Sequence, residues 1–176
     1  MAVRRKLGSC SYARDMSENK YLRSPIPGIS CGDEVTDADL DVHLRAFIEQ
    51  YVQKDIRGRW IEFLIDRRDQ WDRRNRSRAQ AKLLEKTNSM MNSFSPTDPS
   101  ASRVDLAHLP TGWLANNFGD RRGVLFCPYW TPAFATASEA VQFFYWDDSS
   151  ALLSFTPGED ALYFCHGGEI FGLGKE

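Results

Sequence analysis

Residues 151–166 read Ala-Leu-Leu-Ser-Phe-Thr-Pro-Gly-Glu-Asp-Ala-Leu-Tyr-Phe-Cys-His. Two apolar runs, Ala151–Thr156 and Ala161–His166, flank Thr156-Pro157-Gly158-Glu159. Proline pre-sets a negative φ and glycine takes a positive one without steric cost, as the two central positions of a type II turn require. The branched and aromatic residues on either side favour extended backbone, so the stretch reads as a β-hairpin. Leu162-Tyr163-Phe164 is apolar at every position, although successive side chains of a strand point to opposite faces. One face is expected against helices, and the other then shows aromatics to solvent or to a partner.

The same pattern extends in both directions. Gly167-Gly168 is a candidate two-residue primed turn into a strand at Glu169–Gly172. Upstream, Gly123–Tyr129 and Ala140–Trp146 read as strands, with Asp147-Asp148-Ser149-Ser150 as a four-residue hairpin loop. Ser138-Glu139-Ala140 offers a competing start for a short helix there. The C-terminal part is thus an expected antiparallel meander of four to five strands.

Earlier residues follow a helical period. Thr36-Asp37-Ala38-Asp39 places a hydroxyl at the N-cap and a carboxylate at N3, a variant capping box. Leu40, Leu44, Phe47, Tyr51 and Val52 then recur as one buried stripe. Across a weak interruption at Gly58, the residues Ile56, Trp60, Phe63, Leu64 and Trp71 form a second stripe, with Arg67 snorkelling along it. The fold class is therefore α+β, with two or three N-terminal amphipathic helices packed on the meander.

Four regions follow. Residues 1–35 form a polar, partly mobile arm, 36–86 a helical region, and 87–103 a Ser/Pro-rich linker or loop. Residues 104–176 form a strand-rich region that shares one compact domain with 36–86. The full chain has 176 residues, of which 42% are hydrophobic and 26% charged. Such a chain buries a core without disulfides or metal. No run approaches the length of apolar sequence that a membrane helix needs. Cys10, Cys31, Cys127 and Cys165 lie far apart in sequence, without CxxC spacing. They read as reduced structural thiols in a cytoplasmic protein.

The net charge of −2 averages two unlike parts. Residues 1–122 carry 21 Lys and Arg against 17 Asp and Glu, whereas 123–174 contain six acids and no Lys or Arg. Sign asymmetry of this kind bears on partners rather than on fold. Twelve of the 22 aromatic residues also fall in that second stretch. Acids and aromatics together suit an interface for a basic protein, with Trp130, Trp146, Asp147, Asp148, Glu159, Asp160 and Glu169 as its candidate residues. In the first part, the run Lys54–Lys82 holds ten basic residues with Trp60 and Trp71 interleaved, and Arg67, Arg68, Arg73, Arg74, Arg76 and Arg78 are its candidate nucleic-acid contacts. That combination suits phosphate contact and base stacking. Asp66, Asp69 and Asp72 lie within helical pairing distance and compensate part of it.

Catalytic signatures are weak. Cys165-His166 are adjacent on a strand and so face apart, which removes them as a mutual dyad. His43, His108 and His166 are too scattered to carry zinc-ligand spacing. Asp147-Asp148 and Glu159-Asp160 sit on consecutive connections, hence at opposite ends of the meander. There is no Walker loop, GxGxxG or GxSxG. No cofactor or metal is expected, and catalysis is disfavoured. The leading expectation is a non-catalytic protein-binding module, of the inhibitor or immunity type, covering a basic target with its acidic, aromatic face. The alternative is a nucleic-acid-binding accessory protein using the arginine-rich helix. A further alternative is an enzyme whose site the sequence does not advertise, and a homodimer is compatible with any of these.

Overall fold

The computed structural model describes residues 26, 28–29, 34–68, 70, 76–96, 101–105, 108, 110–144, 150–166 and 168–174. Thr36 Oγ1 accepts from the Asp39 amide at 3.1 Å, and the Asp39 carboxylate accepts from the Thr36 amide at 3.1 Å. This capping box satisfies two donors that the first turn leaves open, and α1 (Asp37–Tyr51) starts from it. Leu40, Leu44, Phe47, Ile48 and Tyr51 form its buried stripe. After two residues α2 (Lys54–Ile61) begins, and it runs directly into a π-helical turn at Glu62–Asp66. The Arg67 amide donates to the Glu62 carbonyl at 2.9 Å, the wider i→i−5 bond of such a turn.

The next helix, α3 (Arg76–Asn92), ends well beyond the start of the expected 87–103 linker. Packing explains the extension: Thr87, Met90 and Met91 are buried, as is Phe94 just after the helix. Phe94 lies 4.2 Å from Tyr163 between ring centroids and also meets Phe47, Trp60 and Phe171. A Ser/Asn-rich composition therefore hid apolar side chains at helical spacing.

The remaining elements are β1 (Ser102–Asp105), α4 (Trp113–Asn117), β2 (Arg122–Phe126), β3 (Ala133–Thr136), α5 (Ala137–Phe144), β4 (Ala151–Thr156), β5 (Asp160–Cys165) and β6 (Glu169–Gly174). The α+β class holds, with helices leading and an antiparallel sheet at the C-terminus. Among the described residues the sheet has six strands, in the order β1-β6-β5-β4-β2-β3, not four or five. The short strands β1 and β3 are additional. Conversely, the strand expected at Ala140–Trp146 is helix α5 as far as Phe144. Thr136 and Glu139 start α5 with a second capping box, the Glu139 carboxylate accepting from the Thr136 amide at 2.8 Å. β2 therefore pairs directly with β4.

Gly158 has φ 75° in the β4–β5 turn, and the Glu159 amide donates to the Thr156 carbonyl at 3.0 Å. The expected Pro-Gly hairpin is thus present. The next connection differs: Cys165 pairs with Glu169, leaving a three-residue loop rather than a two-residue turn. Gly123 on β2 is needed for close approach, since a Cβ there would stand 2.5 Å from the Ser154 carbonyl oxygen.

Alternation sorts the core into two halves. Leu152, Ala161, Tyr163, Leu173 and Val124 face α1, α2 and α3. Leu153, Phe155, Leu162, Phe164, Ile170 and Leu125 face the opposite way. That second face is covered by Ile26, Phe118 of the segment after α4, and Ala137, Ala140, Phe143 and Phe144 of α5. The sheet is therefore a middle layer, and the aromatics of β4 and β5 (Phe155, Tyr163 and Phe164) are buried between the two coverings. Covering β4 and β5 on both faces is what their unbroken apolar sequence demands.

Candidate functional site

The sequence proposed two surfaces. On the acidic one, Asp160 pairs with Arg121 at 2.6 Å and also accepts from the Thr156 amide at 2.8 Å. Glu169 forms an ion pair with Arg103 on the neighbouring edge strand. Arg103 and Arg121 come from outside the stretch that lacks Lys and Arg, and the sheet brings them to it. Glu159 is exposed beside the β4–β5 turn, and its carbonyl accepts from the Tyr51 hydroxyl at 2.8 Å. Trp130 is half-buried, edge-on to Phe143 with centroids 5.3 Å apart. Trp146, Asp147 and Asp148 lie outside the described residues. Glu159 and Glu169 stand at opposite ends of β5, so the described acids form no single cluster.

The basic surface is better assembled. α3 is amphipathic: Leu84, Thr87, Met90 and Met91 face inward, while Arg78, Lys82, Glu85, Lys86 and Ser89 are exposed. Arg78, Lys82 and Lys86 are spaced by four residues, which sets them on one helix face at ~6 Å intervals along the axis. Lys82, Glu85, Lys86 and Ser89 line a cleft of about 420 Å³, whose other wall is Phe63 and Arg67 from the π turn and the residue after it. Arg67 forms an ion pair with Glu62. Arg78, Lys82 and Lys86 have no ion pair among the described residues.

The other arginines of the expected set divide. Arg68 turns toward α1 and grips Asp41 with two bonds of 2.7 and 2.9 Å, a half-buried clamp rather than an open contact. Arg76 opens α3, and Arg73 and Arg74 lie outside the described residues. Sequence reasoning therefore located the region but missed Phe63, Lys82, Lys86 and Ser89 as neighbours. The four-residue spacing of Arg78, Lys82 and Lys86, all inside the expected helical region 36–86, is the signal that could have found the stripe.

Two further groups bear on chemistry. His43 Nδ1 and Ser154 Oγ share a hydrogen bond of 2.8 Å between α1 and β4. Burial lowers the His43 pKa, partly offset by Asp39 one turn earlier. Ser154 is fully buried, which leaves its hydroxyl no access to a substrate. The Cys165 thiol is pushed up to about 11, first by burial and then by Glu169, so it stays protonated at neutral pH. Among the described residues no group of three or more His, Cys, Asp or Glu side chains could hold a metal ion, and no helix is long and apolar enough to cross a membrane. No family profile, curated protein or solved structure matches the chain.

Proposed function

We propose that this protein is a binding module for nucleic acid, gripping the phosphate backbone along the outer face of α3 and in the cleft beside it. One observation carries the reading: Arg78, Lys82 and Lys86 form an exposed row with no ion pair among the described residues, beside a cleft whose other wall holds Phe63 and the Glu62-paired Arg67. Binding phosphates releases condensed counterions, so affinity through such a row depends steeply on salt. The described acids supply less competing surface, because Asp160 and Glu169 are held by Arg121 and Arg103. A cytoplasmic setting accords with the Cys165 thiol, which stands outside any disulfide.

The test is fluorescence anisotropy of a labelled oligonucleotide across a salt series. Three phosphate contacts give a slope of log K against log salt of about −2 on a single strand. The double reversal K82E/K86E is expected to flatten that slope and weaken binding at least tenfold, while E159K leaves affinity within about twofold. A salt-independent affinity, or one untouched by K82E/K86E, would overturn the reading.

A second reading keeps the inhibitor or immunity-type module, alone or as a homodimer, with a basic protein as target. It rests on exposed Glu159 and on the absence of Lys and Arg from residues 123 to 174. Retention on immobilised polylysine that is lost on E159K, with no oligonucleotide binding, would favour it.

A further inference from the structure

Phe63 is an odd occupant of a charged cleft. The other rings of the helical core, Phe47, Tyr51, Trp60 and Phe94, all engage neighbouring rings. Phe63 is half-buried against that core, has no ring partner among the described residues, and lines the cleft between Arg67 and the Lys82 and Lys86 row. An accessible ring beside a cationic track is how sequence-tolerant single-strand binders hold bases, since every base has a π-face to stack. Duplex bases are already stacked on one another and offer the ring nothing.

Glu85 sharpens the choice. It lines the same cleft, exposed, with no ion pair among the described residues. A carboxylate there repels a phosphate but accepts a hydrogen bond from the exocyclic amine of a base. The cleft is thus suited to an uncharged, amine-bearing ring, and the helix face beyond it to phosphates. The ~6 Å steps of Arg78, Lys82 and Lys86 are of the same order as the distance between successive phosphates of one strand.

We infer that the ligand is a single-stranded nucleic acid that stacks one base on Phe63 while its backbone runs along Lys82, Lys86 and Arg78. This rests on the nucleic-acid reading above and adds to it the strand form and the base contact. The probes are a labelled single-stranded oligonucleotide, the same strand carrying abasic sites throughout, and its duplex. The intact single strand is expected to bind at least about fivefold more tightly than either the abasic strand or the duplex. F63L keeps apolar volume without a π-face, and is expected to abolish that preference while leaving the salt slope unchanged. The abasic comparison uses the unaltered protein, so it stands even if F63L is poorly folded. Equal affinity for all three probes, with the steep salt slope retained, would overturn the stacking inference and leave the phosphate-binding reading intact. Loss of the salt dependence itself would remove both.

Discussion

His43 shows how a single residue couples a helix to the sheet. Its ring spans from α1 to Ser154 on β4, and burial depresses its pKa. A group that is harder to protonate when folded leaves stability intact above its unfolded value of about 6.5. Below that value the unfolded chain binds a proton that the folded chain resists, so stability falls as pH drops toward the depressed folded value. Asp39 has its own pKa lowered by the Thr36 hydrogen bonds, so its contribution is lost only in the acid range, below the usual carboxylate value. The two windows are therefore separate. Urea unfolding between pH 7.5 and 5.5 should show the unaltered protein losing stability. H43N, which keeps a polar partner near the position of Nδ1, should respond less to pH over that interval. An identical pH response in H43N would remove His43 as the cause.

At the scale of elements, capping decides what composition leaves open. Thr136 and Glu139 form the same box as Thr36 and Asp39, and it converts an aromatic run that reads as strand into α5. T136A is expected to cost about 1 kcal/mol, a fall in Tm of roughly 2–4 °C for a chain of this size. A melting temperature unchanged by T136A would mean that tertiary packing alone holds the helix. The signal was in the sequence as Thr-x-x-Glu, but Phe143-Phe144-Tyr145-Trp146 outweighed it because aromatic runs favour strands as well as buried helices. The Pro-Gly hairpin and α1 were legible because local chemistry determines a turn and a cap. β1 and β3 were not, because four-residue edge strands depend on a neighbour's register and carry little periodicity of their own. The end of α3 was hidden for a related reason: Met90, Met91 and Phe94 are scattered among Ser and Asn, and their helical spacing matters only once Tyr163 and Phe47 are there to receive them.

Across the whole molecule, the charge asymmetry of the sequence is partly consumed inside the fold. Arg103 and Arg121 precede the stretch without Lys or Arg, yet the sheet sets them against Glu169 and Asp160. Arg68, Arg45 and Arg67 are likewise engaged by Asp41, Asp66 and Glu62. The exposed ones among these pairs contribute about 0–1 kcal/mol each, so their larger effect is to determine which charges face a partner. On α3, Arg78, Lys82 and Lys86 are left exposed along one face. Charge in a linear sequence cannot reveal this, because pairing across 39 or 66 residues depends on topology. The most direct test is a two-dimensional amide NMR titration of the isotope-labelled protein with a single-stranded oligonucleotide. Saturable shifts at Phe63, Arg67, Lys82, Lys86 and Ser89, with the β4–β5 turn around Glu159 silent, are the expected result. Shifts centred on that turn, or none at the cleft, would contradict the account.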